Sequence, residues 1–308
     1  MRFVFVFFVV LCSSALLVSA APNVLQDQDD VRGAFLTSRP KEKSTKAPAS
    51  GTVSRRKPKV VVTENKNTNV KTPDNKTADN RTPKTPTSDS KGTQTPVNTQ
   101  RMGLGLTLFM RDANGSAVRT DPTRVFHKGD RVRVLLETNS DGYLYIFNTT
   151  NDGAPVMIYP DASLDEGGNY LQAHVPFEIP SSMSTEDRLR WLAFDETAGD
   201  EKLFFVFTKE PLTGLPIDDD LIALCRNSSS ACPVKPTAEI WAQVQKEMQH
   251  PLQANRSKQT GQTETPAEKE ATTRGLGLAK EDPEPSMILM ASSRTSKLVT
   301  ILGLVHKE

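Results

Sequence analysis

The amino-acid sequence predicts a mainly β protein: an antiparallel β-sandwich or flattened barrel with two short helices and a long disordered N-terminal segment. Three observations carry that prediction. Strand-length runs of Val, Leu, Ile, Tyr and Phe recur from residue 103 onward, several alternating with polar residues at period 2. Turn residues punctuate them, above all Asp141-Gly142 and Asp152-Gly153. Asp-Gly between apolar runs is a strong hairpin signal, because Gly takes the positive φ of a tight turn. Finally, only residues 218–226 and 237–249 carry the features of helices.

Residues 1–20 read as a signal peptide. Arg2 supplies the positive start, residues 3–18 an apolar run, and Val18-Ser19-Ala20 the small-x-small cleavage site. The rival reading is a membrane anchor, against which the run is about 16 residues where about 20 are needed to span. Cys12 follows Leu11 inside this run, which argues against a lipoprotein. Export leaves two cysteines, Cys225 and Cys232, which in an oxidising compartment read as a local disulfide. So short a loop contributes only about 2.5 kcal/mol in the chain-entropy model. A zinc site is the weaker alternative, since no second Cys or His pair lies nearby at ligand spacing.

Residues 21–100 are dominated by Thr, Pro, Lys, Asn, Asp and Ser, with Phe35 as their sole aromatic. Too little apolar surface is available to offset chain entropy, so a disordered tether is expected. Its Thr-Pro pairs favour extended stretches. A wall-binding or glycosylated stalk is the other reading. The segment is basic, +7 over residues 22–100, whereas residues 101–308 carry −7. That asymmetry suits attraction to anionic envelope polymers or to the acidic domain itself. Nucleic acid is a poor partner for an exported chain.

A β-domain is expected over residues 101–216. Leu104, Leu106, Leu108 and Met110 alternate with Gly105, Thr107, Phe109 and Arg111. Val132, Val134 and Leu136 oppose Arg131, Arg133 and Glu137, the pattern of a sheet with one wet face. Residues 129–160 read as a three-stranded meander, 170–180 as a strand pair, and 190–208 as a hairpin whose second arm, 203–207, is deeply buried. Helices follow in residues 217–250. The first is acidic at its start and basic at its end, which suits the macrodipole. The second carries Ile240, Trp241, Val244 and Met248 as a stripe that packs on the sheet. Residues 251–274 read as a polar linker, and 275–308 as a C-terminal β-hairpin docking on the β-domain and completing the sheet begun near Leu104. The repeated Gly-Leu-Gly-Leu at 103–106 and 275–278 suggests two pairing edges.

Four motifs in this region, Lys128-Gly129-Asp130, the strand 141–148, Tyr159-Pro160 and Lys209-Glu210-Pro211-Leu212, resemble the core of the domain-of-unknown-function family 4384 (DUF4384) over about 124–215. The resemblance implies an exported bacterial protein with a binding or scaffold role in the cell envelope. It implies no catalytic residues.

Chemistry-bearing motifs are scarce. The four histidines, His127, His174, His250 and His306, show no metal spacing, and there is no Gly-x-Ser-x-Gly elbow or phosphate loop. Gly103-Leu104-Gly105 lacks the third glycine of a dinucleotide fingerprint. Asp161, Asp165, Glu166 and Asn169 form an oxygen-rich loop that reads as a solvated turn, with calcium as the alternative. Asp218, Asp219 and Asp220 read as an acidic helix start. Tyr143, Tyr145 and Phe147, with Tyr159 nearby, form an aromatic stripe, either the packed second face of a sheet or a candidate binding patch for sugar or peptide. No catalytic, cofactor or metal residues are therefore expected. The expected function is a non-catalytic interaction or scaffold module, periplasmic or extracellular, engaging an envelope protein or polysaccharide. A hydrolase or other envelope enzyme and a purely structural envelope protein are the alternatives.

Overall fold

The structure is a computed structural model that describes residues 24–42, 55–58, 100–226, 232 and 234–308. The expected signal peptide, and the parts of the expected tether at 43–54 and 59–99, lie outside the described residues. The described chain opens with helix α1 (Val24–Leu36). It continues with strands β1 (Gly103–Arg111), β2 (Ala117–Arg119), β3 (Val125–His127), β4 (Arg131–Thr138), β5 (Gly142–Thr150) and β6 (Val156–Tyr159). Next come β7 (Tyr170–Leu171), β8 (Phe177–Ile179), β9 (Leu192–Ala193), β10 (Gly199–Thr208), α2 (Asp218–Arg226) and α3 (Ala238–Glu247). Strand β11 (Leu252–Arg256), helix α4 (Pro266–Arg274), β12 (Met287–Ala291) and β13 (Lys297–Lys307) complete it.

The strands form two sheets, and no closed barrel. One is ordered β11-β12-β1-β4-β8, with β2 added to β1 and β9 to β4. The other is ordered β3-β13-β10-β5-β6, with β7 added to β5. Every named strand pairing is antiparallel except β13 with β3. Alternation along the strands sends Leu104, Leu106, Leu108, Val132, Val134 and Leu136 from the first sheet toward Leu144, Ile146, Phe205, Phe207, Leu302 and Leu304 of the second. This is sandwich packing, with inner faces interdigitated.

The tight local pairings expected from the sequence are mostly replaced by crossings between sheets. Strand β4 pairs with β1, β8 and β9, whereas β5 pairs with β10, β6 and β7. The Asp141-Gly142 turn therefore carries the chain from one sheet to the other, and only β5–β6 of the meander is a hairpin. The strand pair expected in 170–180 divides likewise, β7 on β5 and β8 on β4. So does the hairpin expected in 190–208, β9 on β4 and β10 on β5 and β13. The C-terminal hairpin is not formed either. Strand β12 joins β1 in register Leu104↔Leu289, while β13 lies between β10 and β3 in the opposite sheet. Apolar residues on both faces of β5 and β10 satisfy either arrangement, so local pattern cannot distinguish a hairpin from an arch.

Gly142 shows the difference. It does not occupy the positive-φ region; instead a Cβ there would lie 2.5 Å from the Thr208 carbonyl oxygen and 2.7 Å from the Phe207 ring. Gly142→Ala is expected to lower stability by about 1–3 kcal/mol through overpacking. Gly142→Asn should be no better, although Asn tolerates a positive-φ turn. Urea melts of both variants check this; recovery by Asn would restore the hairpin-turn reading.

Helices cover both outer faces. On the second sheet, Leu221 of α2 and Ile240 and Val244 of α3 pack over Tyr145, Phe147, Phe204 and Val206. Thr237 caps α3 by accepting from the Ile240 N–H, and the stripe expected to pack on the sheet does so. On the first sheet, Arg133 and Glu137, expected on a wet face, are buried, and Arg131 at its end is half-exposed. Val31 and Phe35 of α1, one helical turn apart, pack on Ile288 and Met290. The expectation of a disordered tether thus fails for residues 24–42, where two apolar residues at the right spacing and one arginine suffice to dock the segment. The outward glycines of β1 make room for it: a Cβ on Gly103 would lie 2.8 Å from Phe35, and one on Gly105 2.4 Å from Pro285. The first Gly-Leu-Gly-Leu is therefore a flattened strand face. The second is no pairing edge, since Gly275 is the left-handed cap of α4 and Leu276 and Leu278 are buried beyond it.

The expected polar linker is also structured. Strand β11 forms the edge beside β12, and α4 begins with a capping box in which Thr265 and Glu268 satisfy each other's backbone N–H groups, with Pro266 in the first turn. Its composition is polar because only Glu268 and Ala271 of the helix are buried.

Candidate functional site

The aromatic stripe is not a surface. Tyr143, Tyr145, Phe147 and Tyr159 are all buried, and they point two ways. The first three lie under α2 and α3, with Trp241 edge-on to Phe147, while Tyr159 enters the core between the sheets. The Tyr145 hydroxyl accepts from the Leu212 N–H at 2.9 Å. Tyr170, at the end of this layer, donates to Asp141 at 3.0 Å; burial and that carboxylate push its phenol up to about 12. The stripe is structural because both faces of β5 are covered.

The acidic groups are likewise engaged within the fold. Asp161 accepts from the Ser163 N–H and hydroxyl, both at 2.7 Å. Asn169 is buried and donates to the Leu144 carbonyl. Glu166, in the left-handed region, lies 3.5 Å from Arg56, which also pairs with Asp219 at 2.8 Å and Asp218 at 3.8 Å. The side chain of Asp165 is outside the described residues. Among the described residues, no group of three or more His, Cys, Asp or Glu is placed to hold a metal ion. Cys225 and Cys232 are joined in a disulfide at the end of α2.

A denser constellation lies where the arm after α1 crosses β4. Arg39 is fully buried, and its guanidinium donates to both carboxylate oxygens of Glu137 and to the carbonyls of Ala279, Asp282 and Pro283. Glu137 also meets Nδ1 of His174 at 2.7 Å, and Nε2 of His174 meets Ser38 Oγ at 2.9 Å. The order Ser-His-Glu is that of a nucleophilic triad. Two features argue against that chemistry here. The Ser38 hydroxyl donates to the Phe35 carbonyl at 2.6 Å, so its proton is already committed. Arg39 neutralises the carboxylate that would stabilise an imidazolium. Sequence reading missed this cluster because its members lie on four segments far apart in the chain. The arrangement is a clamp that fastens residues 38–39 to the sandwich and to the loop before β12.

Two further buried clusters line the same sheet face. Arg119 pairs with Glu268 and donates to Thr107 and Ser286. Arg133 sits over the Trp191 ring at 4.6 Å and pairs with Glu178 at 3.2 Å and Glu264 at 3.1 Å. Burial, and then the nearby Glu178 charge, raise the Glu264 carboxyl from 4.5 to about 7. The folded state thus holds a proton that the unfolded chain releases near 4.5. This contribution is complete below about 4.5 and is lost as pH rises through about 7. Unfolding free energies measured across that window should fall more steeply for the wild type than for Glu264→Gln. Equal slopes would contradict the assignment.

A concave feature lies at the open end of the sandwich. It is a cleft of about 240 Å³ lined by Val132, Leu192, Ala193 and Phe194 on one side and by Asn148, Glu201, Leu203, Leu304 and His306 on the other. The inward positions of β5, β10 and β13 turn from apolar to polar at this end. Asn148, Glu201 and His306 continue the rows that contain Ile146, Leu203 and Leu304. One oxygen of Glu201 accepts from Asn148 Nδ2 at 2.9 Å and from the Thr150 hydroxyl at 3.0 Å. Glu201 makes no ion pair among the described residues. His306 is 4% exposed and tilts against Phe194, which stacks on Phe126. Its Nε2 is buried with no hydrogen-bond partner among the described residues. The sequence signal was available: polar residues at inward positions of otherwise apolar strands.

Two sheets with helices on both outer faces and an open, mixed-polarity end define a helix-flanked β-sandwich domain. Residues 125–211 match the family model described as Domain of unknown function (DUF4384). No curated protein and no solved structure matches the chain. The matched segment runs from β3 to just past β10 and includes strands of both sheets, while β1 and β13, which those strands pair with, lie outside it. Among the described residues no helix is long and apolar enough to cross a membrane.

Proposed function

We propose that the mature protein is an exported, non-catalytic interaction module of the bacterial cell envelope, and that it engages its partner through the cleft between β9, β10 and β13. The observation that carries this reading is the contrast between the cleft and the rest of the polar residues. The buried charges on the outer sheet face pair with one another and fasten helices and loops, whereas Glu201, which makes no ion pair among the described residues, and His306 line a concavity. The disulfide fits an oxidising compartment.

The test uses the chain from residue 21 onward as bait on solubilised envelope material. Ala193 is exposed and lines the cleft, so Ala193→Trp obstructs it without disturbing the core. Retention of a defined envelope component by the wild type, and its loss with Ala193→Trp at an unchanged melting temperature, is the expected result. Retention unaffected by the substitution removes the cleft from the reading. Chemical turnover of the captured component would replace it with the enzyme reading.

A further inference from the structure

The lining of the cleft selects among ligand chemistries. We infer that it is a site for an amphipathic cation, an ammonium or guanidinium head on a short apolar stem, with Glu201 as the head's partner. The inference rests on the proposal that the cleft is a binding site, and goes beyond it by naming the ligand class.

Charge is the first argument. Among the described residues, the cleft is lined by Glu201 and Asp195 and by no lysine or arginine. An anion would therefore meet carboxylates and no cation. One oxygen of Glu201 is held by Asn148 and Thr150, which fixes the carboxyl group on the cleft wall. No bond to its other oxygen is formed among the described residues. Asp195 spends one oxygen on the Thr197 N–H at the exposed rim. A charge-assisted bond to a fixed, half-buried carboxylate is stronger than one between neutral groups.

Shape and polarity are the second argument. The wall facing Glu201 is built from Val132, Leu192 and Phe194, which would cover an apolar stem. At about 240 Å³ the space is below the range of about 300–1,000 Å³ common for drug-sized ligands, so it suits a small molecule or a single side chain. The unpartnered His306 nitrogen is a second polar group on the same wall as Glu201.

The same ammonium chemistry occurs in a free amine and in a lysine side chain, and the experiment has an arm for each. Chemical-shift titrations of the 15N-labelled mature protein would use phenethylammonium chloride and an acetylated, amidated Gly-Lys-Gly peptide. Phenylethanol and 3-phenylpropionate serve as neutral and anionic comparisons. The amides of Ala193, Leu203 and Leu304 report on the cleft. Phenethylammonium or the lysine peptide should move them, whichever is tighter naming the source. Phenylethanol should bind at least about tenfold more weakly than the tighter cation, and phenylpropionate should not bind. Glu201→Gln retains an acceptor for Asn148 and Thr150 and should weaken the cation at least about tenfold. Ala193→Trp should abolish the shifts while leaving the melting temperature unchanged.

Equal binding of the cation by Glu201→Gln, or tighter binding of phenylpropionate, would overturn the inference. So would cleft amides that none of the four probes moves. If capture of an envelope component still depends on Ala193 in any of those cases, the ligand class is wrong and the interaction reading stands.

Discussion

A chain ending at Pro285 is expected not to fold. The truncation removes β12 and β13, and neither is an edge strand. In the first sheet β12 lies between β11 and β1, and in the second β13 lies between β3 and β10. Ile288, Leu289, Met290, Leu298, Val299, Leu302 and Leu304 leave with them, all buried in the intact protein. Burial of Val, Leu, Ile or Met contributes about 1.5–3 kcal/mol each, so the loss is on the order of 10 kcal/mol, comparable with the whole net stability of a domain. Circular dichroism and the thermal midpoint of the truncated chain check it; a cooperative melt near that of the intact protein would contradict the topology. Deleting residues 253–273 should also be costly, because it removes β11 and most of α4. It leaves Arg119 buried without Glu268. A flexible linker of that length would have been deleted with little effect, since closure entropy changes slowly with length.

Arg39→Met should produce the largest effect of any single substitution in the arm. The side chain is fully buried, and its five N–H donors meet five acceptors on two other segments of the chain. Removing one member of a buried ion pair leaves the other charged and desolvated, at a cost of about 3–5 kcal/mol. For a domain of this size the melting temperature should fall by about 10 °C. The arm should also become susceptible to proteolysis around Arg32. Adding Glu137→Gln to Arg39→Met should recover part of the loss, because the double variant no longer buries an unpaired carboxylate. Urea unfolding of both variants measures the difference. A single-variant loss below about 1 kcal/mol would mean that the clamp orders the arm without stabilising the sandwich.

The strands were legible one by one and their partners were not. Period-2 alternation located β1 and β4, turn-bounded apolar runs located β5 and β10, and the apolar content of residues 203–207 marked the most buried of them. Pairing failed at Asp141-Gly142 for a specific reason. The same dipeptide serves a hairpin through the positive φ of glycine and serves an arch through its missing Cβ. Only the approach of Thr208 and Phe207, more than sixty residues away, decides between them. Composition misled in the arm and in residues 251–274 because it averages. Val31, Phe35 and Arg39 dock a segment that is otherwise polar, and the capping box at Thr265 and Glu268 was readable but lay inside a polar stretch.

The candidate site followed the same division. The aromatic stripe was found as a stripe, and its burial depended on helices from residues 218–247 folding over it. Glu201 and His306 belong to strands about a hundred residues apart, and neither stands out in a linear reading. By itself the sequence determined the mainly β class, the strand-forming segments, the two helices at 218–226 and 238–247, the pairing of Cys225 with Cys232, and the family resemblance. Each depends on residues close together in the chain. Tertiary structure alone decided which strands share a sheet, that the supposed wet face is covered, and that polar ends of three strands converge on one cleft. Those outcomes depend on which distant surface arrives to exclude water, and no local pattern specifies that partner.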